Sequence, residues 1–260
     1  MVEDPRYGRI MSVRGLDLST LRRFSICVVG AGALGNEVLK NIVLYGPREL
    51  TVLDFDSVER SNLGRCFLFS REDAETGMRK ADAAARAIGR MNDDVAVKAL
   101  VEDARSLDHE FFSGFDMVLG CMDNIASRLH VNANCYYCGV PYVDGGIDGL
   151  AGRVQVVIPP DGACYQCTVN ATHMSVVDLG YTCTGREANV PRRLVPSEPS
   201  VSSLTGSLQS LEAARIAAGK GEAGRMLLYN GLRNELDSVI VSVSGVCDNH
   251  GCGKDENHKD

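Results

Sequence analysis

Three glycines, Gly30, Gly32 and Gly35, follow an apolar run at the spacing G-x-G-x-x-G. Between a strand and a helix, the first glycine permits a tight turn, the second lets a phosphate approach the backbone, and the third lets the helix pack on the strand. The helix N-terminus there favours an anion. Asp54 ends the next apolar run, where an acid typically binds ribose hydroxyls. The pattern predicts a nucleotide site, and a glycine turn kept only for packing stays open as the alternative.

Four polar residues downstream indicate what is done to that nucleotide. Asn62, Arg65 and Lys80 follow the ribose acid, and Asp123 follows a later apolar run. An enzyme that attacks a nucleotide phosphate needs fixed donors where charge develops, whereas hydride transfer does not. A carboxylate beside a triphosphate is a natural Mg²⁺ ligand. Taken singly, each residue is more often a solvated surface charge than a functional group. Together they favour phosphate chemistry over an NAD-dependent oxidoreductase or a non-catalytic nucleotide-sensing module.

The cysteines offer a second kind of chemistry. Cys164 and Cys167 form a C-x-x-C pair, and Cys247 and Cys252 follow far downstream. Four thiolates would make a closed structural Zn²⁺ site, which we predict here. The second pair is separated by four residues rather than two, and His250 in place of Cys252 would restore the two-residue gap. That alternative stays open, as does a redox C-x-x-C, which usually lies near the first βαβ unit.

The strands and helices that position these residues are indicated by apolar runs that alternate with apolar residues at helical spacing. Apolar runs predict strands, and apolar residues at helical spacing predict the helices between them. The predicted strands are 24–29, 50–55, 95–101 and 115–121, and the predicted helices are 34–45, 80–92 and 128–138. This β-α-β order predicts a doubly wound, Rossmann-like, mostly parallel α/β sheet.

The second half of the chain has a different pattern. Residues 154–158 and 238–243 are rich in β-formers, so the sheet should continue there as a mixed or antiparallel one. Between them we predict a helix at about 203–218 with Leu204, Leu208 and Leu211 on its inner face. Residues 171–203 are polar and contain prolines, which is typical of a long, functional crossover loop.

Composition excludes several classes of protein. The 260 residues are 45% hydrophobic and 23% charged, which is typical of a globular chain rather than a disordered one. No apolar run approaches the roughly 20 residues that a membrane span needs. A net charge of −7 argues against electrostatic nucleic-acid binding. Ten cysteines without a secretory signal pattern predict a reducing, cytoplasmic location.

Eight motifs occur in order along nearly the whole chain: RYGRI at 6–10, GAGALG at 30–35, LDFDSVERSNLGR at 53–65, GMRKA at 77–81, GCMDN at 120–124, VDGGIDGLAGRVQVVIP at 143–159, CYQC at 164–167 and GSLQSLEA at 206–213. This set resembles the ubiquitin-activating-enzyme superfamily, which includes the molybdopterin and thiamine sulfur-carrier adenylyltransferases. The resemblance implies ATP-dependent adenylation of the C-terminal glycine of a ubiquitin-like or sulfur-carrier β-grasp protein ending in Gly-Gly, with release of pyrophosphate.

The resemblance also implies roles for particular residues. Asp54 would hold the ribose, Asp123 would bind Mg²⁺ or support the transition state, and Arg9 would reach the ATP site of a partner subunit, which requires a homodimer. Cys66 departs from the family, which usually has glutamine after this arginine, and so puts the local packing in question. The implied nucleotide contacts are Gly30, Gly32, Ala33, Gly35, Asp54, Asn62, Arg65, Lys80, Asp123 and Asn124.

Cys183 is the candidate nucleophile. It lies in the polar crossover, where the resembling family carries a cysteine that takes the activated glycine as a thioester. The neighbouring Arg186, Arg192 and Arg193 would favour its thiolate. The alternative is a spectator cysteine, as in some sulfur-carrier adenylyltransferases of molybdopterin, thiamine or tRNA thiolation pathways. Segments such as NLGRCFLF look closer to the ubiquitin-type activators, which would add a downstream conjugating enzyme as a partner.

These inferences together give an expected organisation of the chain. We expect an N-terminal arm at 1–25, a single adenylation domain at 26–246 and a zinc-binding tail at 247–260. The domain would consist of a nucleotide-binding half at 26–150 and a partner-binding half at 151–246.

Overall fold

The computed structural model describes residues 5–169 and 196–250, which form alternating strands and helices followed by an antiparallel segment. The strands are β1 (Ser25–Val29), β2 (Glu49–Leu53), β3 (Ala96–Leu100), β4 (Met117–Gly120), β5 (Tyr142–Asp148), β6 (Ala151–Val157), β7 (Arg225–Asn230) and β8 (Glu235–Ile240). The helices are α1 (Gly8–Met11), α2 (Ala33–Tyr45), α3 (Arg71–Thr76), α4 (Lys80–Met91), α5 (His109–Phe112), α6 (Ile125–Cys138) and α7 (Pro199–Ala217).

All eight strands form one sheet in the order β3-β2-β1-β4-β5-β6-β7-β8. The first five are parallel, and β5 to β8 pair antiparallel. The chain order reverses between β1 and β4, and such a switch point opens a crevice at the carboxyl ends of the strands. The predicted fold class is therefore confirmed, with a parallel first half that continues into an antiparallel second half.

Helices cover both faces of the parallel part of the sheet. Side chains on one face of β1, Ile26 and Val28, pack in a core cluster with α2, α4 and α7. On the other face, Cys27 and Val29 pack in a second cluster with α6. Because every residue of β1 is buried, this strand reads as a continuous apolar run, as is usual for a parallel strand covered on both sides.

Two strands, β5 and β7, are not among those predicted from the sequence. Strand β5 contains Asp144, Gly145 and Gly146, which are residue types depleted in strands. Strand β8 runs from Glu235 to Ile240, so its first and last residues each lie three positions earlier in the chain than predicted. All its residues are exposed, so no burial pattern marks its position in the sequence.

The inner face predicted for α7 is wrong at two of its three leucines. Leu204 and Leu211 are 36% and 45% exposed, and only Leu208 packs against the core, where it is partly buried. The buried face carries small and polar residues instead, and α7 approaches α2 closely at Gly206. A Cβ at Gly206 would lie 2.7 Å from Cβ of Glu37. The buried residues of α7 are Val201, Ser202, Thr205, Gly206, Gln209, Ser210, Glu212, Ala213, Ala214 and Ala217.

The N-terminal arm is fixed at the carboxyl end of α2. Tyr7 is buried against Gly46, where a Cβ would lie 2.5 Å from the tyrosine ring. Its hydroxyl donates to Asp94 at 3.1 Å and accepts from the Asn92 amide at 2.9 Å. Arg9 is exposed on the short helix that follows, so the arm holds this arginine at the end of α2 that is remote from the glycine turn.

Candidate functional site

The glycine turn joins β1 to α2 at the switch point of the sheet. Gly30 has a φ of +98°, and a Cβ there would lie 2.6 Å from the carbonyl oxygen of Cys121, so only glycine fits. A Cβ at Gly35 would lie 2.0 Å from the carbonyl oxygen of Gly30, which explains the third glycine. Gly32 precedes Ala33, the first residue of α2, and a Cβ on it would meet no atom within 4 Å. The open space beside Gly32 is where a phosphate can approach the helix N-terminus.

Gly32→Ala should therefore weaken ATP binding without destabilising the fold. The backbone at Gly32 is extended with a φ of −73°, which alanine adopts, but its methyl group would occupy the space in front of the helix N-terminus. Losing one or two hydrogen bonds to a charged phosphate should lower ATP affinity about tenfold or more in titration calorimetry. Gly89→Ala in α4, where a Cβ also meets nothing, is the matched control. Equal ATP affinity of Gly32→Ala and wild type would contradict a phosphate site here.

Asp54 follows β2 and holds the glycine turn in place. Its carboxylate accepts hydrogen bonds from the backbone N–H groups of Ala31 at 2.7 Å and Asp56 at 2.8 Å. Burial raises the pKa of Asp54, and the nearby Lys80 opposes that rise. The Lys80 ammonium forms an ion pair with Asp56 at 2.8 Å. Asp54, the turn and Lys80 thus lie together, as the sequence predicts.

Asn62 and Arg65 flank the same space. The buried Asn62 side chain accepts from the Glu59 N–H at 2.9 Å and so fixes a short 3-10 turn, and Arg65 donates to the Ser61 carbonyl at 2.6 Å. Burial raises the pKa of Cys66 to about 11, and the charges of Arg65 and Lys80 oppose this while Asp54 adds to it. The thiol therefore lies among these charged groups. At this position Cys66 is a buried residue of the core cluster, which answers the packing question that the sequence raises.

Asp123 and Asn124 follow β4 on the other side of the switch point. The Asn124 side chain caps α6 by accepting from the Ser127 N–H at 2.8 Å, and its amide donates to Asp123 at 3.4 Å. Asp123 is exposed. Because Gly30 packs against the carbonyl of Cys121, two residues before Asp123, the carboxylate borders the same crevice as the glycine turn. A carboxylate at this edge of the sheet is a suitable ligand for a divalent cation.

A buried cluster of charges beside Asp123 was missed by the sequence analysis. Asp144 is fully buried and accepts from Arg128 at 2.7 Å, Arg153 at 2.8 Å and the Tyr142 hydroxyl at 2.7 Å. Arg128 also donates to the carbonyl of Met122. The cluster therefore holds the backbone directly before Asp123. Asp144 is the first residue of the DGGIDG segment. An acidic residue next to an apolar run was the feature of the sequence that could have indicated this buried site.

Gln209 is a second residue missed by the sequence analysis. Its buried side-chain amide donates to the carbonyls of Gly120 and Val143, both at 2.9 Å. It therefore links α7 to β4 and β5 just below the site. Its presence on the buried face of α7 is possible because it satisfies strand carbonyls that face the helix.

A groove of about 460 Å³ runs over the antiparallel part of the sheet next to this cluster. Its lining includes two glycines, and its Arg128 end adjoins the Met122–Asp123 backbone. Residues that line it are Arg128, Gly146, Ile147, Asp148, Ala151, Gly152, Arg153, Leu228, Tyr229, Asn230 and Asp237.

Three of the predicted metal ligands come together. Cys164, Cys167 and Cys247 lie with His250 so that one ligand atom from each is within 4.8 Å of the others. Cys252, predicted as the fourth ligand, lies outside the described residues, and so does Cys183 with the three arginines near it.

Within 5–169 and 196–250, no helix combines the length and apolar character of a membrane span.

Comparison with known proteins gives evidence that is independent of this geometry. The model of the ThiF family matches residues 7–248. Molybdopterin-synthase adenylyltransferase of Escherichia coli strain K12 is 34% identical over 252 residues, which cover 94% of each chain. SUMO-activating enzyme subunit 2 of Dictyostelium discoideum is 37% identical over 167 residues, which cover 62% of this chain and 25% of that relative. The chain thus spans a quarter of one relative and nearly all of the other.

A solved structure, Escherichia coli MccB with ATP, has a similar fold. It superposes with a TM-score of 0.77 at 19% identity and covers 96% of this chain and 75% of that one. At this level of identity the likeness concerns the fold alone.

Proposed function

The chain belongs to the ThiF family of E1-like adenylating enzymes, and from this membership we propose that it uses ATP to adenylate the C-terminal glycine of a β-grasp protein ending in Gly-Gly. One observation carries the proposal: the glycine turn and Asp123 border one crevice, and the open groove ends beside it. A nucleotide and a peptide carboxylate can therefore meet at one point.

The reaction is an in-line displacement at the α-phosphorus of ATP. An oxygen of the glycine carboxylate forms a new P–O bond, the bond to the bridging oxygen of the β-phosphate breaks, and pyrophosphate leaves with that electron pair. Negative charge grows on the phosphate oxygens, so fixed cations lower the barrier. Lys80 and Arg65 supply this charge, and Asn62 adds a polar contact. Lys80 is held ready by Asp56 at 2.8 Å and can exchange that partner for a phosphate.

The nucleotide would be held by the elements around the turn. Its phosphates would lie at the N-terminus of α2 in front of Gly32 and Ala33, and its ribose would lie beside Asp54. Asp123 would bind Mg²⁺, with Asn124 beside it, and the cation would neutralise part of the phosphate charge. Asp54 keeps lone pairs for ribose hydroxyls even though both its oxygens accept backbone N–H groups.

The groove fits the flexible tail of a ubiquitin-like or sulfur-carrier protein. Gly146 packs against the Arg128 guanidinium and Gly152 against Thr205, so neither position has room for a side chain. We propose that a glycine-rich tail lies along this groove in an extended conformation. The lining includes the exposed Leu228, to which the body of the partner protein can dock.

Arg9 supports a homodimer in which each subunit completes the other's site. The arm places it at the carboxyl end of α2, whereas the phosphates lie at the amino end. A helix of 13 residues is about 20 Å long, which is beyond the reach of an arginine side chain. Exposed leucines of α2 and α7, Leu44, Leu204 and Leu211, form an apolar face near the arm that a second copy can cover.

The second step distinguishes two pathways. In protein conjugation, the Cys183 thiolate would attack the acyl-adenylate, form a thioester and release AMP to the solvent, before a conjugating enzyme takes the acyl group. In sulfur transfer, the adenylate passes to a separate sulfur donor and Cys183 is dispensable. Relatives of both kinds match the chain, so the first step is common to both.

A thioester predicts an adduct that reductant removes. When the enzyme is incubated with ATP, Mg²⁺ and a β-grasp partner, a gel without reductant should show a band of the summed mass, and this band should disappear with reductant. Cys183→Ala should lose the band, while Cys138→Ala, which removes a half-buried thiol of α6, should keep it. Adenylation without any adduct in wild type would favour sulfur transfer.

The adenylation step itself is tested by ATP–pyrophosphate exchange. Labelled pyrophosphate should enter ATP only when a Gly-Gly-ending β-grasp protein is present, and removal of its last glycine should stop the exchange. Exchange that needs no protein partner, or binding of a nicotinamide cofactor in place of ATP, would reject the proposal.

A further inference from the structure

Asn36 is a fully buried polar residue in the first turn of α2, and the proposed reaction gives it no role. Its side-chain amide donates to the carbonyls of Ala31 at 2.8 Å and Gly32 at 3.0 Å. Its side-chain oxygen accepts from the Leu68 N–H at 2.9 Å. Asparagine is a weaker helix former than leucine or alanine. These three backbone contacts, rather than the helix, therefore explain the asparagine at this position.

The partners of Asn36 fix the orientation of its amide group. A backbone carbonyl only accepts and a backbone N–H only donates, so the amide nitrogen faces the glycine turn and the oxygen faces Leu68. The opposite orientation would place oxygen against oxygen on one side and N–H against N–H on the other. Leucine has nearly the same shape but offers neither donor nor acceptor, so it would leave the Ala31 carbonyl and the Leu68 N–H unpaired.

The amide of Asn36 determines which way the N–H groups of the glycine turn face. In a trans peptide bond, the C=O group and the N–H group of the next residue point in opposite directions. The carbonyls of Ala31 and Gly32 point towards the buried side chain. The N–H groups of Gly32 and Ala33 therefore point away from it, and within the part of the chain that the structure describes neither has a hydrogen-bond acceptor. Both are available to the phosphates that the proposed reaction places at this helix N-terminus.

The oxygen of Asn36 ties the glycine turn to the segment that carries Asn62 and Arg65. The N–H groups of Arg65 at 3.0 Å and Cys66 at 2.9 Å donate to the Asn62 carbonyl, which makes this segment a compact turn. Leu68 follows two residues later, and Asn36 accepts from its N–H at 2.9 Å. One buried side chain therefore links the N-terminus of α2 to the segment that supplies fixed charge to the phosphates.

We propose that Asn36 is a positioning residue of the nucleotide site. It turns the N–H groups of Gly32 and Ala33 towards the phosphates of ATP, and it fixes their position relative to Arg65. This inference rests on the proposed function, because it requires a triphosphate at the N-terminus of α2. Asn36 does not touch the nucleotide and acts only through the backbone. If it served the stability of α2 alone, its loss would weaken the binding of ATP and of adenosine to the same degree.

The test compares ATP with adenosine, which has the base and the ribose but no phosphate. In titration calorimetry on the full chain, Asn36→Leu should lower the ratio of ATP affinity to adenosine affinity about tenfold or more, since one or two hydrogen bonds to a charged phosphate are lost. Asn132→Leu in α6 is the matched control, because Asn132 is equally buried and its oxygen accepts from the Tyr165 N–H at 2.9 Å. It should lower the melting temperature but keep the wild-type ratio.

A measurement on wild type decides the question even where Asn36→Leu fails to fold. In amide proton–nitrogen NMR spectra, ATP should shift the signals of Gly32 and Ala33 more than adenosine does. An unchanged affinity ratio in folded Asn36→Leu, or the absence of these shifts in a wild-type chain that binds ATP, would overturn the role of Asn36 and leave ATP binding intact. A wild-type chain that binds no ATP would overturn the proposed function, and this inference with it.

Discussion

Replacing Asp123 with alanine should lower partner-dependent ATP–pyrophosphate exchange by about 100-fold or more. The carboxylate borders the crevice beside the glycine turn, where in the proposed reaction it would hold a divalent cation that offsets phosphate charge. Removing one group that stabilises developing charge commonly costs a factor of about 10² to 10³ in rate. Because the Asp123 side chain is exposed, the melting temperature should stay near that of wild type.

Glu110→Ala, which removes an exposed carboxylate from α5, is the matched control and should keep full exchange activity. Asp123→Asn should be nearly as inactive as Asp123→Ala, since the amide keeps the shape of the side chain and loses its charge. If Asp123→Ala retained more than a tenth of wild-type exchange, the carboxylate would not take part in the transition state.

The inactive Asp123→Ala chain also reveals whether Arg9 acts across subunits. In a mixed dimer with an Arg9→Ala chain, one of the two sites combines an intact Asp123 with an intact Arg9. A random mixture of such twofold dimers should regain about a quarter of wild-type activity. Each variant alone should stay inactive. Absence of recovery in a mixture shown to exchange subunits would reject the arrangement.

The sequence predicts the parallel half of the sheet well, because each element there has a strong and simple pattern. Strand β1 is apolar throughout, and the glycines after it have spacings that only close backbone packing explains. The ends of β2 and β4 then place Asp54 and Asp123 correctly, since parallel strands present their carboxyl ends at one edge. Site residues that directly follow a parallel strand can therefore be located from the sequence alone.

In the second half, the sequence predicts the helix and two strands but not which residues are buried, because the buried residues there depend on partners distant in the chain. Helix α7 buries Gln209 and exposes Leu204, which reverses the expected pattern, because Gln209 bonds to carbonyls of β4 and β5. Asp144 is buried because two arginines and a tyrosine neutralise it. Hydrophobic periodicity carries no information about such pairs.

The Asp144 cluster leads to the largest stability effect that we expect. Asp144→Asn should lower the free energy of unfolding by about 3–5 kcal/mol, because it leaves Arg128 buried without a compensating charge. Urea unfolding measures this change. Glu75→Gln breaks an ion pair of the same chemistry with Arg71 on the surface and should cost less than about 1 kcal/mol.

A double variant shows whether the effect belongs to the charge pair or to packing. Asp144→Asn combined with Arg128→Met removes the two buried charges at similar volume. It should recover a large part of the stability lost in Asp144→Asn, since the one arginine left without its carboxylate is Arg153, whose side chain reaches solvent. The double variant should nevertheless lose adenylation, because Arg128 no longer holds the Met122 carbonyl before Asp123. If the double variant recovers stability but not adenylation activity, this buried cluster positions the catalytic edge of the sheet. A loss below about 1 kcal/mol in Asp144→Asn would instead place the cluster in contact with water.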